Sequence, residues 1–105
     1  MKRPTKVRVG YQDYEILLVP KDYLDSSSGL CQPQQGRILL EGGLGRRARA
    51  ETLLHEILHA IVHSWGIEGI LGDSEEQIVS LISLGMASVI RQNPALVVWF
   101  SKELD

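Results

Sequence analysis

The segment His55-Glu56-Ile57-Leu58-His59 holds the residues of this chain whose types and spacing could do chemistry. Two histidines four positions apart on a helix leave the same face, one turn apart. Their neutral rings can then reach a single Zn2+ at about 2.0–2.1 Å each. Glu56 is rotated about 100° from His55 around such a helix, so its carboxylate reaches a water on the metal and not the metal itself. Zinc lowers the pKa of that water to about 7, and the glutamate takes the proton as general base. With 3 histidines in 105 residues, random placement produces the pattern in roughly 0.006 of such chains, so chance explains it poorly. The bland alternative is a pair of helix-surface histidines beside a solvated charge. The amphipathic setting of the motif speaks against that.

A catalytic zinc takes three protein ligands and leaves a fourth position open. The expected third ligand is Glu75, at the start of the next helix. At 100° per residue it shares a side with Ile78, Val79 and Ile82, the face expected to pack on the motif helix. Glu76 is expected to point about 100° away, toward solvent, and capping or the helix dipole would account for either acid. His63 lies one further turn past His59, drifted from the His55 direction, and Glu51 is accounted for by an ion pair with Arg47. Glu76 and His63 stay open as alternatives. For stabilising an oxyanion, His63, Tyr11, Tyr14 and Tyr23 are available, none favoured by spacing.

These side chains need elements to position them. The first forty residues alternate as strands do: Val7 and Val9, a turn at Gly10-Tyr11-Gln12-Asp13, then Tyr14, Ile16 and Leu18 until Val19-Pro20. Asp25 to Gly29 is a loop by composition, and a second hairpin turns at Pro33-Gln34-Gln35-Gly36. From Arg46 the period becomes helical, with Ala50, Leu54, Leu58, Ile61 and Trp65 as the apolar row and Gly66 as the stop. Ile67 to Gly72 is expected to be a loop. Asp73 or Ser74 can cap a second helix through a capping box with Glu76 or Gln77. Its row is Ile78, Ile82, Gly85 and Val89, and Ser83, Gly85 and Ala87 would permit a close neighbour. Asn93-Pro94 breaks it and opens a third helix with Leu96, Val97 and Phe100. The expectation is one α+β domain over 1–105: strands at about 6–41, antiparallel hairpins packed on helices at about 46–65, 74–92 and 94–103.

Composition narrows the classes. Net charge is -2, with 44% hydrophobic and 23% charged residues, which suits a globular protein and disfavours tight binding to nucleic acid or an anionic membrane. Pro4-Thr5-Lys6 stands where a signal peptide would turn apolar, and Ile78 to Ile90 is short of the roughly 20 residues that span a bilayer. A cytoplasmic protein is expected. Cys31 is the only cysteine, which excludes an internal disulfide, and a lone cysteine is more often a small buried side chain than a nucleophile.

Thr52 to Ile61, followed by Ser74-Glu75-Glu76-Gln77-Ile78 through Asn93-Pro94, resembles the small HExxH proteins of phages and prophages related to the ImmA/IrrE-like metallopeptidases. The resemblance covers about half of the chain. It implies a minimal zincin-like fold, one Zn2+, and Glu75 as third ligand. This chain has Ile78-Val79 where the family pattern has Ala-Asn, and lacks the Leu-Met-Pro end of that helix. The expected function is hydrolysis of a peptide bond in a protein or peptide substrate, with Glu56 activating a zinc-bound water. A binding or assembly protein with a structural zinc is the alternative; there a fourth side chain would close the coordination sphere. A metal-free scaffold touching DNA through Arg46, Arg47 and Arg49 is a third reading, disfavoured by the net charge.

Overall fold

Val9, Tyr14 and Ile16 alternate with polar neighbours, and the face they share is buried. In the computed structural model, which describes residues 2–105, they belong to β1 (Lys6–Val9) and β2 (Gln12–Val19). The two strands are antiparallel and join through Gly10 and Tyr11, with Val9 opposite Gln12. The turn is thus tighter than composition suggested, and Gln12 and Asp13 belong to the strand. The alternation stops before Leu18, which is exposed. A 3-10 turn at Lys21–Leu24 leads to β3 (Gly29–Gln32) and β4 (Arg37–Glu41), a second antiparallel hairpin around Pro33 to Gly36. β2 and β4 run parallel, Ile16 beside Ile38, so the order is β1-β2-β4-β3 in one mixed sheet. β3 is an edge strand. The α+β class and the order of strands before helices are as expected.

The helices are α1 (Arg46–Ser64), α2 (Glu68–Leu71), α3 (Glu75–Gln92) and α4 (Pro94–Glu103). The single turn of α2 occupies the expected loop. Gly66 ends α1 as its lack of a Cβ allows: at φ +68 its N–H reaches the His63 carbonyl, and the Ile67 N–H reaches that of Val62. The expected capping box before α3 is not formed. A 3-10 turn at Gly72–Ser74 runs straight into α3, so Ser74 (φ -87, ψ -1) is already helical and makes no side-chain cap, which needs extended backbone.

The core joins Val9, Tyr14, Ile16, Ile38 and Leu40 of the sheet to Ala60 of α1, with Leu53, Ile57 and Ile61 packed against it. Of the row expected on α1 only Ile61 serves this core, while Ala50 and Trp65 are exposed. On α3 the buried residues are Val79 and Ser83, and Ile82 and Val89 are about half exposed. The inward face of α3 is therefore turned by one residue, about 100°, from the one hydrophobicity marked. Small side chains occupy it, and Ser83 satisfies its hydroxyl by donating to the Ser80 carbonyl at 3.0 Å. Gly85, by contrast, faces open space. Among the described residues no single helix is long and apolar enough to cross a membrane.

Candidate metal centre

His55 and His59 leave the middle of α1 from one side, and their Nε2 atoms converge to 3.2 Å. Glu76, in the first turn of α3, closes the group. Its Oε1 lies 2.8 Å from His55 Nε2 and its Oε2 lies 2.8 Å from His59 Nε2. One ligand atom from each of His55, His59 and Glu76 falls within 4.8 Å of the others. Glu75 is also drawn in, but to the opposite ring nitrogen: its Oε2 is 2.6 Å from His59 Nδ1. Glu75 thus lies against the histidines as expected, and Glu76 joins it there. Glu76 keeps most of its side chain exposed, at 70%, as expected, yet the one-residue rotation that brings Val79 and Ser83 inward lets its carboxylate reach over both rings.

The donor set fits a divalent metal. Two ligand atoms at about 2.0–2.1 Å from a tetrahedral ion stand about 3.3 Å apart, close to the observed nitrogen separation. Without a metal, the 2.8 Å contacts of Glu76 call for protons on the imidazole nitrogens; a divalent cation would take the place of those protons. With Nδ1–H of His59 donated to Glu75, the lone pair of that ring lies on Nε2, where a metal needs it. His63 and Glu51 take no part: His63 Nδ1 faces Glu68 at 3.7 Å, and Glu51 pairs with Arg47 at 3.4 Å, the latter as expected.

Among the described residues Glu56 is the one charged side chain in the interior, at 6% exposure. Burial pushes its pKa up to about 7; the charge of His59 pulls it down, that of Glu76 pushes it up, and the backbone N–H of Cys31 stabilises the ionised form. At His59, burial alone would lower the pKa, but the hydrogen bond to Glu75 and the charges of Glu56, Glu76 and Glu75 together raise it. The Cys31 thiol is pushed up to about 12 by its burial and then by Glu56 and Glu75. It therefore stays a thiol at neutral pH, in accord with its expected lack of nucleophilic character.

Gly29 decides how near β3 can come to α1. A Cβ there would meet Thr52 Cγ2 at 2.7 Å, the Leu39 carbonyl at 3.1 Å and Glu56 Cγ at 3.2 Å. Composition placed this residue in a loop; its role depends on a strand-to-helix approach that no local pattern encodes.

Two clefts meet at the centre and share Ser27, Gly29, His55, Glu56 and Glu76. One, of about 390 Å3, continues past Cys31 to His63 and Glu68. The other, of about 410 Å3, is walled by the hydroxyls of Ser27, Ser28, Thr52, Ser80 and Ser83. Of the side chains considered for an oxyanion, only His63 lines a cleft here; Tyr14 is buried in the core, and Tyr11 and Tyr23 are exposed elsewhere.

No family model matches the chain, and no curated protein or solved structure matches it significantly.

Proposed function

We propose that this chain is a zinc-dependent peptidase in which His55, His59 and Glu76 hold the metal, Glu56 is the general base and Glu75 positions His59. The observation that carries this reading is the convergence of two imidazole nitrogens and one carboxylate beside a buried glutamate of raised pKa. Zn2+ held there would supply Lewis acidity toward a carbonyl and toward water.

The chain's own residues do the rest. Glu56 takes a proton from the attacking water as the water oxygen adds to the carbonyl carbon. It then passes that proton to the nitrogen as the C–N bond breaks, so the amine leaves neutral and Glu56 returns ionised. Glu75 fixes the tautomer and orientation of His59. An extended peptide can add to β3 as an outer strand, which would bring its backbone alongside the two clefts. A purely structural zinc would need a fourth side chain, and the engagement of His63 with Glu68 and of Glu75 with His59 Nδ1 speaks against one.

The test pairs metal content with hydrolysis of a mixed peptide pool. Glu56→Gln should keep one zinc per chain and lose cleavage by roughly 100- to 10,000-fold, the usual worth of a general base. Cleavage at the wild-type rate by that variant, or full zinc content in His55→Ala, would overturn the reading.

A further inference from the structure

A second, apolar cavity lies away from the metal centre. It is a groove of about 510 Å3 between the N-terminal half of α1 and the C-terminal end of α3, floored by Leu53, Leu54, Ile57, Ala87 and Ile90. No residue of α4 lines it. Three arginines, Arg46, Arg47 and Arg91, stand around it, and Glu51 neutralises only Arg47.

α4 presents the complementary problem. It leaves α3 at a 98° bend and has no buried residue. Val97 (48%), Val98 (55%), Trp99 (55%) and Phe100 (45%) are all substantially exposed, as is Leu104 just beyond. A ten-residue helix of this kind has little stability in water without a surface to pack on. The charges after its apolar stretch are Lys102, Glu103 and Asp105, net acidic, opposite in sign to the groove's rim. The outward rows of α1 and α3 agree: Ala50 and Leu54 line the groove and Ile82 and Val89 lie outside the chain's own core.

We propose that α4 of one copy of this chain docks into the α1–α3 groove of a second copy, and reciprocally, forming a two-fold dimer. The five apolar side chains of the α4 region expose on the order of 500 Å2. Consecutive side chains spread around the helix, so a docked α4 buries about half of that area, and a two-fold pair with a like area of groove covers on the order of 1,000 Å2, at the low end of specific interfaces. Helix-in-groove packing supplies the contact, and the acidic end of α4 meets the arginine rim. The metal centre takes no part in this contact.

Sedimentation of the full chain over a range of concentrations should give a dimer. Trp99→Lys and, separately, Val98→Lys should weaken association at least tenfold while circular dichroism and zinc content stay as in wild type. Arg91→Glu should weaken it, and combining it with Glu103→Arg should restore part of the loss. On a Cys31→Ala background, mixing Leu54→Cys with Val98→Cys should yield an intermolecular disulfide that neither variant forms efficiently alone. A monomer at every concentration overturns the proposal. So does a dimer indifferent to both lysine variants, or a monomer that binds phosphatidylcholine vesicles through Trp99, which would assign the surface to a membrane.

Discussion

A carboxylate that touches both imidazoles and one that touches only the far nitrogen of His59 do different work, although Glu75 and Glu76 are neighbours in the chain. In the proposed site, removing the first would remove a ligand, and removing the second would loosen the aim of one. Zinc affinity should therefore fall about 10- to 100-fold in Glu75→Ala, the usual effect of losing an outer partner of a ligand, and further in Glu76→Ala. Competition with a chelator of known affinity measures both, and a larger effect in Glu75→Ala would return the ligand role to Glu75. Two titrations set the pH dependence of the metal-free protein. The raised pKa of Glu56 means the fold holds its proton more tightly than the unfolded chain does. Stability is then lost as pH climbs from about 4.5, the ordinary value, through about 7. His59, also raised, contributes stability below its ordinary 6.5 that is likewise lost as pH rises through its folded value. The chelated protein should melt higher near pH 5 than near pH 8. Zinc binding displaces protons, so the stabilisation by zinc should run the other way and grow with pH. Denaturant midpoints at the two pH values, with and without zinc, check both signs.

At the scale of elements, the close approach of β3 to α1 rests on a missing side chain. Gly29→Ala would place a methyl group against Thr52, the Leu39 carbonyl and Glu56, an overpacking that costs about 1–3 kcal/mol. Thr52 Cγ2 is the nearest obstacle and belongs to a side chain, so Thr52→Ser should recover part of the loss in the double variant. No recovery would mean that the Leu39 backbone carries the clash. This approach could not be read from the sequence, because it depends on which strand becomes the edge, and the parallel pairing of β2 with β4 decides that. The strands, the three long helices and the pairing of His55 with His59 were legible, since each rests on a local period. The phase of α3 was not. Its bulkiest residues mark Ile78, Ile82 and Val89, whereas the helix turns Val79 and Ser83 inward because small side chains let it lie close to α1. The same one-residue rotation lets Glu76 reach both rings, which its place in the hydrophobic pattern did not announce. Hydrophobicity gives the direction of burial only where the chain's own core is the burial site. On α3, large apolar side chains remain outside.

Across the whole molecule, the main hydrophobic cluster is made by the sheet and α1, and among the described residues Val79 is the one hydrophobic side chain that α3 and α4 bury. α3 is held to the rest by Val79 and Ser83 and by the side chains of Glu75 and Glu76 on the two histidines. A metal bridging His55 and His59 of α1 to Glu76 of α3 would therefore act as a clamp between a stable half, residues 6–64, and a half with few apolar anchors, residues 68–103. Loss of the metal should release the second half before the first. At free zinc 100-fold above its dissociation constant, binding stabilises the native state by about 2.7 kcal/mol. For a domain of this size that corresponds to a rise in Tm on the order of 10–20 °C. The rise should not be spread evenly. Amide hydrogen exchange should show zinc slowing the amides of α2 and α3 strongly and those of β2 and β4 little, because the strands open only with the whole core. Equal protection of strands and helices would mean that the molecule unfolds as one unit and that the contacts of Val79 and Ser83 already bind α3 to α1. Protection confined to α1 would mean that Glu76 does not reach the metal, and that the bridge between the two halves is absent.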